Sequence, residues 1–279
     1  MKITIGIMTY SRPEYLNKLR ESLLSVKSIE KCNIRLYDDN SPIWDNKNLK
    51  KFFPEAKEIV RSDKNLGPDK HMRKMFIDFL KTGDDVLVIA DEDLLFHPDS
   101  IYFIIKNIKY TDGVMSLYNS YLHNEITETI IINSQKYISK KHIGAAGTVM
   151  ERGIVEKIIT NVPESIRYDW DWSNYLVKNN FRLLVKEDSY VQHIGVEGYN
   201  SRKIVTDFGL NFYPGNKINE KYNTEFFQEL IINRYEMLNY LSRFKIYKIF
   251  KISAEIIISR IQVVKKLKQY LKTKNNQKI

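Results

Sequence analysis

The sequence predicts an α/β fold, in which helices flank a mostly parallel central sheet and a helical extension follows at the C-terminus. Short apolar runs rich in β-branched residues alternate with stretches whose apolar residues recur every three or four positions. This alternation is typical of parallel sheets, because consecutive parallel strands need a long crossover that a helix usually provides. The strands predicted in the first half are 3–8, 34–37, 58–60 and 86–90.

Helix start signals separate these strands. The segment Ser11-Arg12-Pro13 places a capping residue and an early proline before an apolar stripe, and Pro68 and Pro98 open the next two helices. The helices predicted from these signals are 13–26, 68–81 and 98–109. After residue 113 the elements become shorter, with predicted strands at 114–117, 129–133, 182–185 and 190–193 and predicted helices at 151–160 and 171–178.

Composition divides the chain into three segments. Residues 1–205 form the α/β domain, 206–240 form a connector with a helix, and 241–279 form a basic amphipathic helical tail. Within these segments, 199–223 is rich in Asn, Gly, Tyr and Lys and predicts a loop. From residue 225 the helical pattern continues to 272.

The tail carries much of the net charge of +10, because eleven Lys and Arg residues after position 240 face one acid, Glu255. Its apolar residues share a broad helical face opposite several lysines, a pattern that suits an anionic membrane surface. Ile252, Ile258 and Val263 fall outside that face. Packing on the α/β domain, or pairing with another copy of the chain in an oligomer, is therefore the alternative.

Several protein classes are excluded by the sequence. No segment reaches the roughly 18 consecutive apolar residues of a membrane span. The first residues have the pattern of a strand instead of a signal peptide, and the single cysteine, Cys32, leaves no intrachain disulfide. We therefore expect a cytoplasmic protein that lies peripherally on the inner face of the cell membrane.

A cluster of three acids, Asp91-Glu92-Asp93, directly follows the apolar strand 86–90. Ligands bind at the carboxyl ends of strands in open α/β sheets. Three adjacent carboxylates repel one another, and a divalent cation with its preference for oxygen ligands would compensate them. Because strand residues alternate, Asp91 and Asp93 face the same side. A solvated acidic turn is the alternative interpretation.

With this triplet after the fourth strand, six short motifs follow an order that resembles family 2-like glycosyltransferases of the GT-A fold. They are IGIMTYSRP at 5–13, DDNS at 38–41, NLG at 65–67, DED at 91–93, GAAGTVME at 144–151 and YDWDW at 168–172. The resemblance covers roughly the first 200 residues and identifies residues 1–205 as a GT-A domain with a Rossmann-like sheet.

The resemblance implies a metal-dependent, inverting hexosyl- or N-acetylhexosaminyl-transferase that uses Mn²⁺ or Mg²⁺. Its donor would be a nucleotide sugar, in this family a UDP-sugar, and its acceptor a glycan or a lipid-linked glycan. Such enzymes commonly assemble cell-surface polysaccharides. The Lys-, Asn- and Ile-rich composition is compatible with a bacterial source.

The first two motifs are expected to bind the nucleobase. Tyr10 leaves the first strand at its carboxyl end, where its ring can stack on a base and the hydroxyl of Thr9 can bond the edge of the base. Asp39 is favoured, by motif match, to accept the imide hydrogen of uracil. Strand-end packing for Tyr10 and a turn at Asp39 are the alternatives.

Basic and acidic residues in the next motifs are expected to contact the rest of the donor. The helix that opens at Pro68 presents free N–H groups, and Arg73, with Lys70 and His71 nearby, would meet a phosphate. A solvated basic face is the alternative for these side chains. By motif match, Arg12, Asp91 and Glu92 are also assigned to donor binding.

The metal ligands implied by the resemblance are Asp93, which binds the cation most directly, and Asp91. His193 stands where GT-A enzymes often supply a further ligand, and an imidazole there would favour Mn²⁺ over Mg²⁺. Alternatively, His193 is simply held by hydrogen bonds at a strand end.

An inverting transfer needs a general base that takes the proton of the acceptor hydroxyl. Asp171 is favoured, because the flanking Trp170 and Trp172 would form a sugar platform and exclude water. Asp169 is the competing candidate. Helix capping is the structural alternative for Asp171.

Two other functions are weighed. A sugar nucleotidyltransferase would have a glycine-rich loop with an arginine and a lysine after the first strand, and residues 9–13 lack it. A non-catalytic, basic membrane- or nucleic-acid-binding protein on a GT-A scaffold explains the tail but leaves the acidic triplet unexplained, since acids repel phosphate. We therefore expect no nucleic acid partner.

Overall fold

Four parallel strands make up one half of the central sheet. In the computed structural model, which describes residues 1–196, 198 and 206–242, they lie side by side in the order β3-β2-β1-β4. Their bounds are β1 Ile3–Thr9, β2 Cys32–Asp38, β3 Glu58–Arg61 and β4 Val86–Asp91. All seven residues of β1 are buried, as expected for a strand covered on both faces. The predicted parallel strands are confirmed.

The other half of the sheet is mixed and continues from β4 in the order β9-β6-β10-β8-β7. The bounds are β6 Val114–Ser116, β7 Ile126–Ile132, β8 Gln135–Lys140, β9 Thr148–Glu151 and β10 Leu183–Lys186. Strand β9 runs antiparallel to both β4 and β6, whereas β6 and β10 are parallel. The sequence predicted no strand at β8 or β9. The β7–β8 hairpin turns at Asn133 and Ser134, whose positive φ angles give the tight turn without a glycine.

Helices cover both faces of the sheet. Their bounds are α1 Pro13–Leu24, α2 Asn46–Phe52, α3 Pro68–Phe79, α4 Ser100–Asn107, α5 Arg152–Asn161, α6 Tyr168–Lys178 and α7 Lys217–Ser242. Helix α6 begins three residues before the predicted start, because Tyr168, Trp172 and Leu176 form one buried stripe. Helix α2 was not predicted.

Helix α7 begins inside the stretch that the sequence predicted as a loop. The side chain of Asn216 accepts a hydrogen bond from the backbone N–H of Asn219 at 2.8 Å, which satisfies a free donor at the helix start. The predicted helix beyond residue 242, and with it the basic tail, lies outside the described residues. In the described part of the chain, no helix combines the length and apolar character needed to cross a membrane.

A two-stranded sheet positions the site. Strands β5 (Leu94–Phe96) and β11 (Val191–His193) pair antiparallel, with His193 opposite Leu94. This register brings His193 next to Asp93, although 100 positions separate them in sequence. The chain divides into two compact units, Met1–Gln228 and Glu229–Ile279, and both sheets belong to the first.

Candidate active site

The acidic triplet lies at the carboxyl end of β4, as the sequence indicates. Glu92 and Asp93 are both buried, each with 3% of its surface exposed, and Asp91 is half-buried. Burial, together with the charge of Asp93, raises the pKa of Asp91 to about 7. Three carboxylates in this position require nearby positive charge.

Arg12 supplies part of that charge. Its Nε donates to Oε1 of Glu92 at 2.7 Å, and its Nη1 lies 2.8 Å from Oδ2 of Asp93. Burial by itself would lower the pKa of Arg12, but the two carboxylates outweigh it and raise that pKa above its ordinary value. Arg12 therefore joins the segment after β1 to the end of β4 by two charge-assisted hydrogen bonds.

Glu92 holds the same segment at three points. Besides Arg12, it accepts hydrogen bonds from the hydroxyl of Thr9 and from the backbone N–H of Tyr10, the latter at 3.1 Å. The carboxylate of Glu92 is therefore occupied by protein donors. The hydrogen of the Thr9 hydroxyl is likewise directed to Glu92, whereas the Tyr10 ring is 43% exposed and open to stacking.

His193 contacts the last acid of the triplet. Its Nε2 lies 3.3 Å from Oδ2 of Asp93. Burial opposes charge on the imidazole, but Asp93 outweighs it and raises the pKa of His193 to about 9. Burial would also raise the pKa of Asp93, yet His193 and Arg12 together hold it well below the usual range. The backbone at Gly195 approaches this carboxylate so closely that a Cβ there would collide with Oδ2.

The donor set fits a divalent cation in part. Oδ1 of Asp93 is buried and has no hydrogen-bond partner in the part of the chain that the structure describes, which is costly unless an ion or another donor satisfies it. One carboxylate oxygen and one imidazole nitrogen suit Mn²⁺. Across residues 1–196, 198 and 206–242, however, no three His, Cys, Asp or Glu side chains are placed to enclose a metal ion. Asp93 would hold the ion, and His193 would join it only after Nε2 gives up its proton and its contact with Asp93.

Asp39, the residue expected to contact uracil, is buried, with 4% of its surface exposed. Its two carboxylate oxygens accept hydrogen bonds from the backbone N–H groups of Leu66 and Gly67, each at 2.9 Å. Gly67 has a φ of +78°, a conformation that favours glycine. Asp39 thus holds the segment that precedes α3 in place. This structural role explains its burial, and the contact with uracil stays a prediction.

The basic residues of α3 do not share one surface. Lys70 pairs with Glu164 at 3.0 Å on the exterior, and His71 is buried, with its pKa lowered by that burial to about 4. Arg73 is half-buried and lies near the hydroxyl of Tyr168. Burial raises the pKa of that hydroxyl, and the charge of Arg73 opposes the shift. Of the three, Arg73 is the one that bridges α3 and α6.

The two candidate bases lie in the first turn of α6. Burial raises the pKa of Asp169 to about 6, and the charges of Asp69 and Asp171 add to this effect. Oδ1 of Asp169 accepts the backbone N–H of Trp170 at 2.8 Å. Trp170 is 39% exposed, but Trp172 is fully buried in the core. The expectation that Trp172 forms half of a sugar platform was therefore wrong, because its ring belongs to the buried stripe of α6 and lies in the core.

Asp207, which lies behind His193, was not among the site residues predicted from the sequence. Nδ1 of His193 lies 3.3 Å from the backbone oxygen of Asp207, and the Asp207 carboxylate accepts a hydrogen bond from Ser120 at 2.7 Å. Tyr118, buried beside His193, and the buried Lys140 interact electrostatically with the same carboxylate. None of these residues stands in a recognisable motif, so their contribution is visible only in the fold.

Solved structures similar to this chain support the fold. S. aureus TarS 1-349 in complex with UDP-GlcNAc has a TM-score of 0.53 and 15% identity, over 68% of this chain and 58% of that one. The mannosyltransferase PcManGT from Pyrobaculum calidifontis in complex with GDP-Man and Mn²⁺ has a TM-score of 0.51 and 12% identity, over 72% of this chain and 59% of that one. The alignments thus reach less than two thirds of the length of either structure.

No protein with curated annotation matches the chain. The sequence model described as glycosyl transferase family 2 matches residues 4–160. These residues include β1 to β4, the acidic triplet, Arg12 and Asp39. The match covers more than half of the 279 residues, so the chain belongs to glycosyl transferase family 2.

Proposed function

We propose that this chain is a metal-dependent, inverting glycosyltransferase that moves a sugar from a nucleotide sugar to a glycan or lipid-linked glycan. The observation that carries the proposal is the cluster at the carboxyl end of β4, where Arg12 and His193 converge on Asp93. Family membership supports the reaction class. The proposal places a nucleoside diphosphate at this edge, with its base beside the exposed ring of Tyr10.

The proposed donor is a UDP-sugar, carrying a hexosyl or N-acetylhexosaminyl group. Its support is the expected role of Asp39 toward uracil and the similarity to TarS, which was solved with UDP-GlcNAc. PcManGT, solved with GDP-Man and Mn²⁺, makes a GDP-sugar the competing donor and supports Mn²⁺ as the cation. When bound, a divalent ion stabilises negative charge on the departing diphosphate.

The proposed general base is Asp169. The sequence favoured Asp171, but a carboxylate with a pKa of about 6 is better matched to proton transfer near neutral pH, and Asp169 has that property. Its burial and the nearby Asp69 and Asp171 charges cause the shift. Asp169 would remove the proton of the acceptor hydroxyl as that oxygen attacks the anomeric carbon from the side opposite the diphosphate.

The proposed setting is cell-surface polysaccharide synthesis in a bacterium, at the inner face of the cell membrane. It is supported by the sequence of the basic tail, residues 241–279. Replacing Lys265, Lys266, Lys268 and Lys272 with Glu in the full chain tests the attachment. We expect loss of sedimentation with anionic liposomes, and unchanged sedimentation would contradict the membrane role.

The reaction is tested by incubating the purified protein with Mn²⁺ and a panel of UDP-hexoses, UDP-N-acetylhexosamines and GDP-mannose, and measuring release of the nucleoside diphosphate. We expect release from a UDP-sugar and a product of inverted anomeric configuration by NMR. Asp169→Asn should slow transfer by about 10²- to 10⁴-fold, and Asp171→Asn much less. A larger loss in Asp171→Asn would return the base role to Asp171, and a retained configuration would contradict the single-base mechanism.

A further inference from the structure

Three aromatic rings from separate parts of the chain meet beside Asp169. Trp170 follows Asp169 in α6, His123 lies between β6 and β7, and His142 lies between β8 and β9. The indole centroid of Trp170 is 4.3 Å from the ring of His142 and 5.4 Å from that of His123. We propose that these three rings, the aromatic platform, bind a sugar ring of the acceptor. The inference rests on the proposed function.

The platform is partly open to solvent, because Trp170 is exposed while His123 and His142 are half-buried. Trp170 keeps 39% of its surface exposed, whereas Trp172, two positions later, is completely buried. A large apolar ring that stays open to solvent next to polar groups is typical of a binding surface. Sugar rings present faces of C–H groups that pack against aromatic rings, and hydroxyl groups at their edges that form hydrogen bonds.

Hydrogen bonds from Lys140 and to Asp207 hold the loop that carries His123. The buried ammonium of Lys140 donates to the backbone oxygens of His123 and Ser120, the latter at 3.1 Å. Asp207 binds the same segment through the hydroxyl of Ser120 and the N–H of Leu122. A buried cation and a carboxylate that both hold one short loop fix the ring above it, and such preorganisation lowers the entropic cost of binding.

The same loop connects the platform to the metal side of the site. Asp207, which binds the loop, places its backbone oxygen 3.3 Å from Nδ1 of His193, and Nε2 of His193 lies 3.3 Å from Asp93. On its other side the platform adjoins Asp169 through the peptide bond to Trp170. A sugar on Trp170 would thus lie one residue along α6 from the proposed base, and the loop of His123 would be tied through Asp207 to His193.

The neighbourhood of Asp169 favours the acceptor over the donor as the occupant. The group deprotonated by the base belongs to the acceptor, so the acceptor must lie against Asp169. Among the residues that the structure describes, buried Nδ1 of His142 has no hydrogen-bond partner, so a hydroxyl that displaces the side chains over it would satisfy this atom. A bound phosphate would need a cationic side chain beside it. The nearby ammonium of Lys140 is already bonded to backbone oxygens of the loop.

The test is binding of the full-length protein to a printed glycan array in the presence of UDP and Mn²⁺, with UDP and GDP affinities measured separately by calorimetry. Trp170→Ala should lower the array signal about tenfold or more, and Trp170→Phe, which keeps a ring face, should restore most of it. Tyr102→Ala is the matched control, because Tyr102 is a 52% exposed aromatic residue on α4. UDP affinity should be the same in all four proteins.

The outcomes separate the two proposals. An unchanged array signal in Trp170→Ala, or wild-type protein that binds UDP but no glycan, would overturn the platform and leave the donor site intact. A loss of signal in Trp170→Phe equal to that in Trp170→Ala would also count against stacking. Absence of both UDP and GDP binding in the wild type would overturn the proposed function, and the acceptor assignment with it.

Discussion

Arg12 and Asp93 form an ion pair at the carboxyl end of β4, with Nη1 of the arginine 2.8 Å from Oδ2 of the aspartate. The oxygen that Arg12 occupies belongs to the carboxylate expected to bind the metal. Glu92 holds the guanidinium in this position by accepting from its Nε. The middle acid of the triplet therefore acts on the site through Arg12, and the consequences can be measured one residue at a time.

Removing the guanidinium should make the site more attractive to a free cation. In Arg12→Gln, a positive charge that repels the ion is lost and Oδ2 of Asp93 keeps only its contact with His193, so we expect Mn²⁺ affinity in the absence of nucleotide to rise about tenfold. The amount of free Mn²⁺ can be measured by electron paramagnetic resonance. Arg20→Gln removes an arginine that pairs with Glu55 and should leave Mn²⁺ affinity unchanged. Equal or weaker binding by Arg12→Gln would show that Arg12 does not compete with the cation.

Neutralising Glu92 should loosen the segment after β1. In Glu92→Gln, the three hydrogen bonds to Thr9, Tyr10 and Arg12 lose their charged acceptor, so we expect the free energy of unfolding to fall by about 2 kcal/mol. UDP affinity should also fall, because Tyr10 is no longer held in place. Urea titration and calorimetry provide the two measurements. Glu58→Gln, which removes a half-exposed partner of Arg35, should change stability by no more than about 0.5 kcal/mol.

The transfer rate should depend on the ionisation of Asp169. A base must be deprotonated, so we expect the rate to fall as the pH decreases through about 6, the pKa of Asp169. Asp69→Asn removes a charge that raises this pKa and should move the acidic limb of the pH–rate profile to lower pH. Asp112→Asn, which changes an acid paired with Arg182, is the control and should not move it. An acidic limb at the same pH in Asp69→Asn would contradict the assignment of Asp169.

Stability should decrease in acid because of His71. Burial lowers the pKa of His71 from 6.5 to about 4 in the folded protein, so between these values the unfolded chain binds a proton that the folded chain excludes. Stability is therefore lost as the pH falls from 6.5 toward 4, by about 2 kcal/mol at pH 5. We expect His71→Gln to show a correspondingly weaker pH dependence in urea titrations at pH 7.5 and 5. Parallel pH dependences for the two proteins would mean that His71 is protonated inside the fold.

The parallel half of the fold could be predicted because its signals are local. Strand β4 is a continuous apolar run up to Asp91, β1 carries Ile3, Ile5 and Ile7, and Pro13 and Pro68 mark the helices that follow the first and third strands. In the mixed half, strands β6, β7 and β10 were predicted but β8 and β9 were not; β8 carries lysines at both ends of a buried stretch and is stabilised by pairing with β10 and β7. Tertiary pairing outweighs the local pattern there.

The candidate site also contains some residues that local motifs predict and some contacts that only the fold reveals. The acids of the triplet stand in a short motif, as do Asp169 and Asp171, so the sequence alone made them candidates and favoured Asp171 as the base. The pairing of Arg12 with Glu92 joins residues 80 positions apart, and no local pattern reports it. The aromatic platform depends on two histidines in separate loops, His123 between β6 and β7 and His142 between β8 and β9, and the sequence predicted neither β8 nor β9. The choice between Asp169 and Asp171 likewise needed the burial that only the fold defines.

The central claim is that Asp93 holds a cation that binds a nucleoside diphosphate. The most direct measurement is calorimetric titration of the protein with UDP, with and without Mn²⁺, for the wild type, Asp93→Asn and the control Asp99→Asn, an exposed acid that pairs with Lys27. We predict that Mn²⁺ strengthens UDP binding about tenfold or more in the wild type and in Asp99→Asn, and has no effect in Asp93→Asn. UDP binding that is absent, or that is the same with and without Mn²⁺ in all three proteins, would contradict the claim.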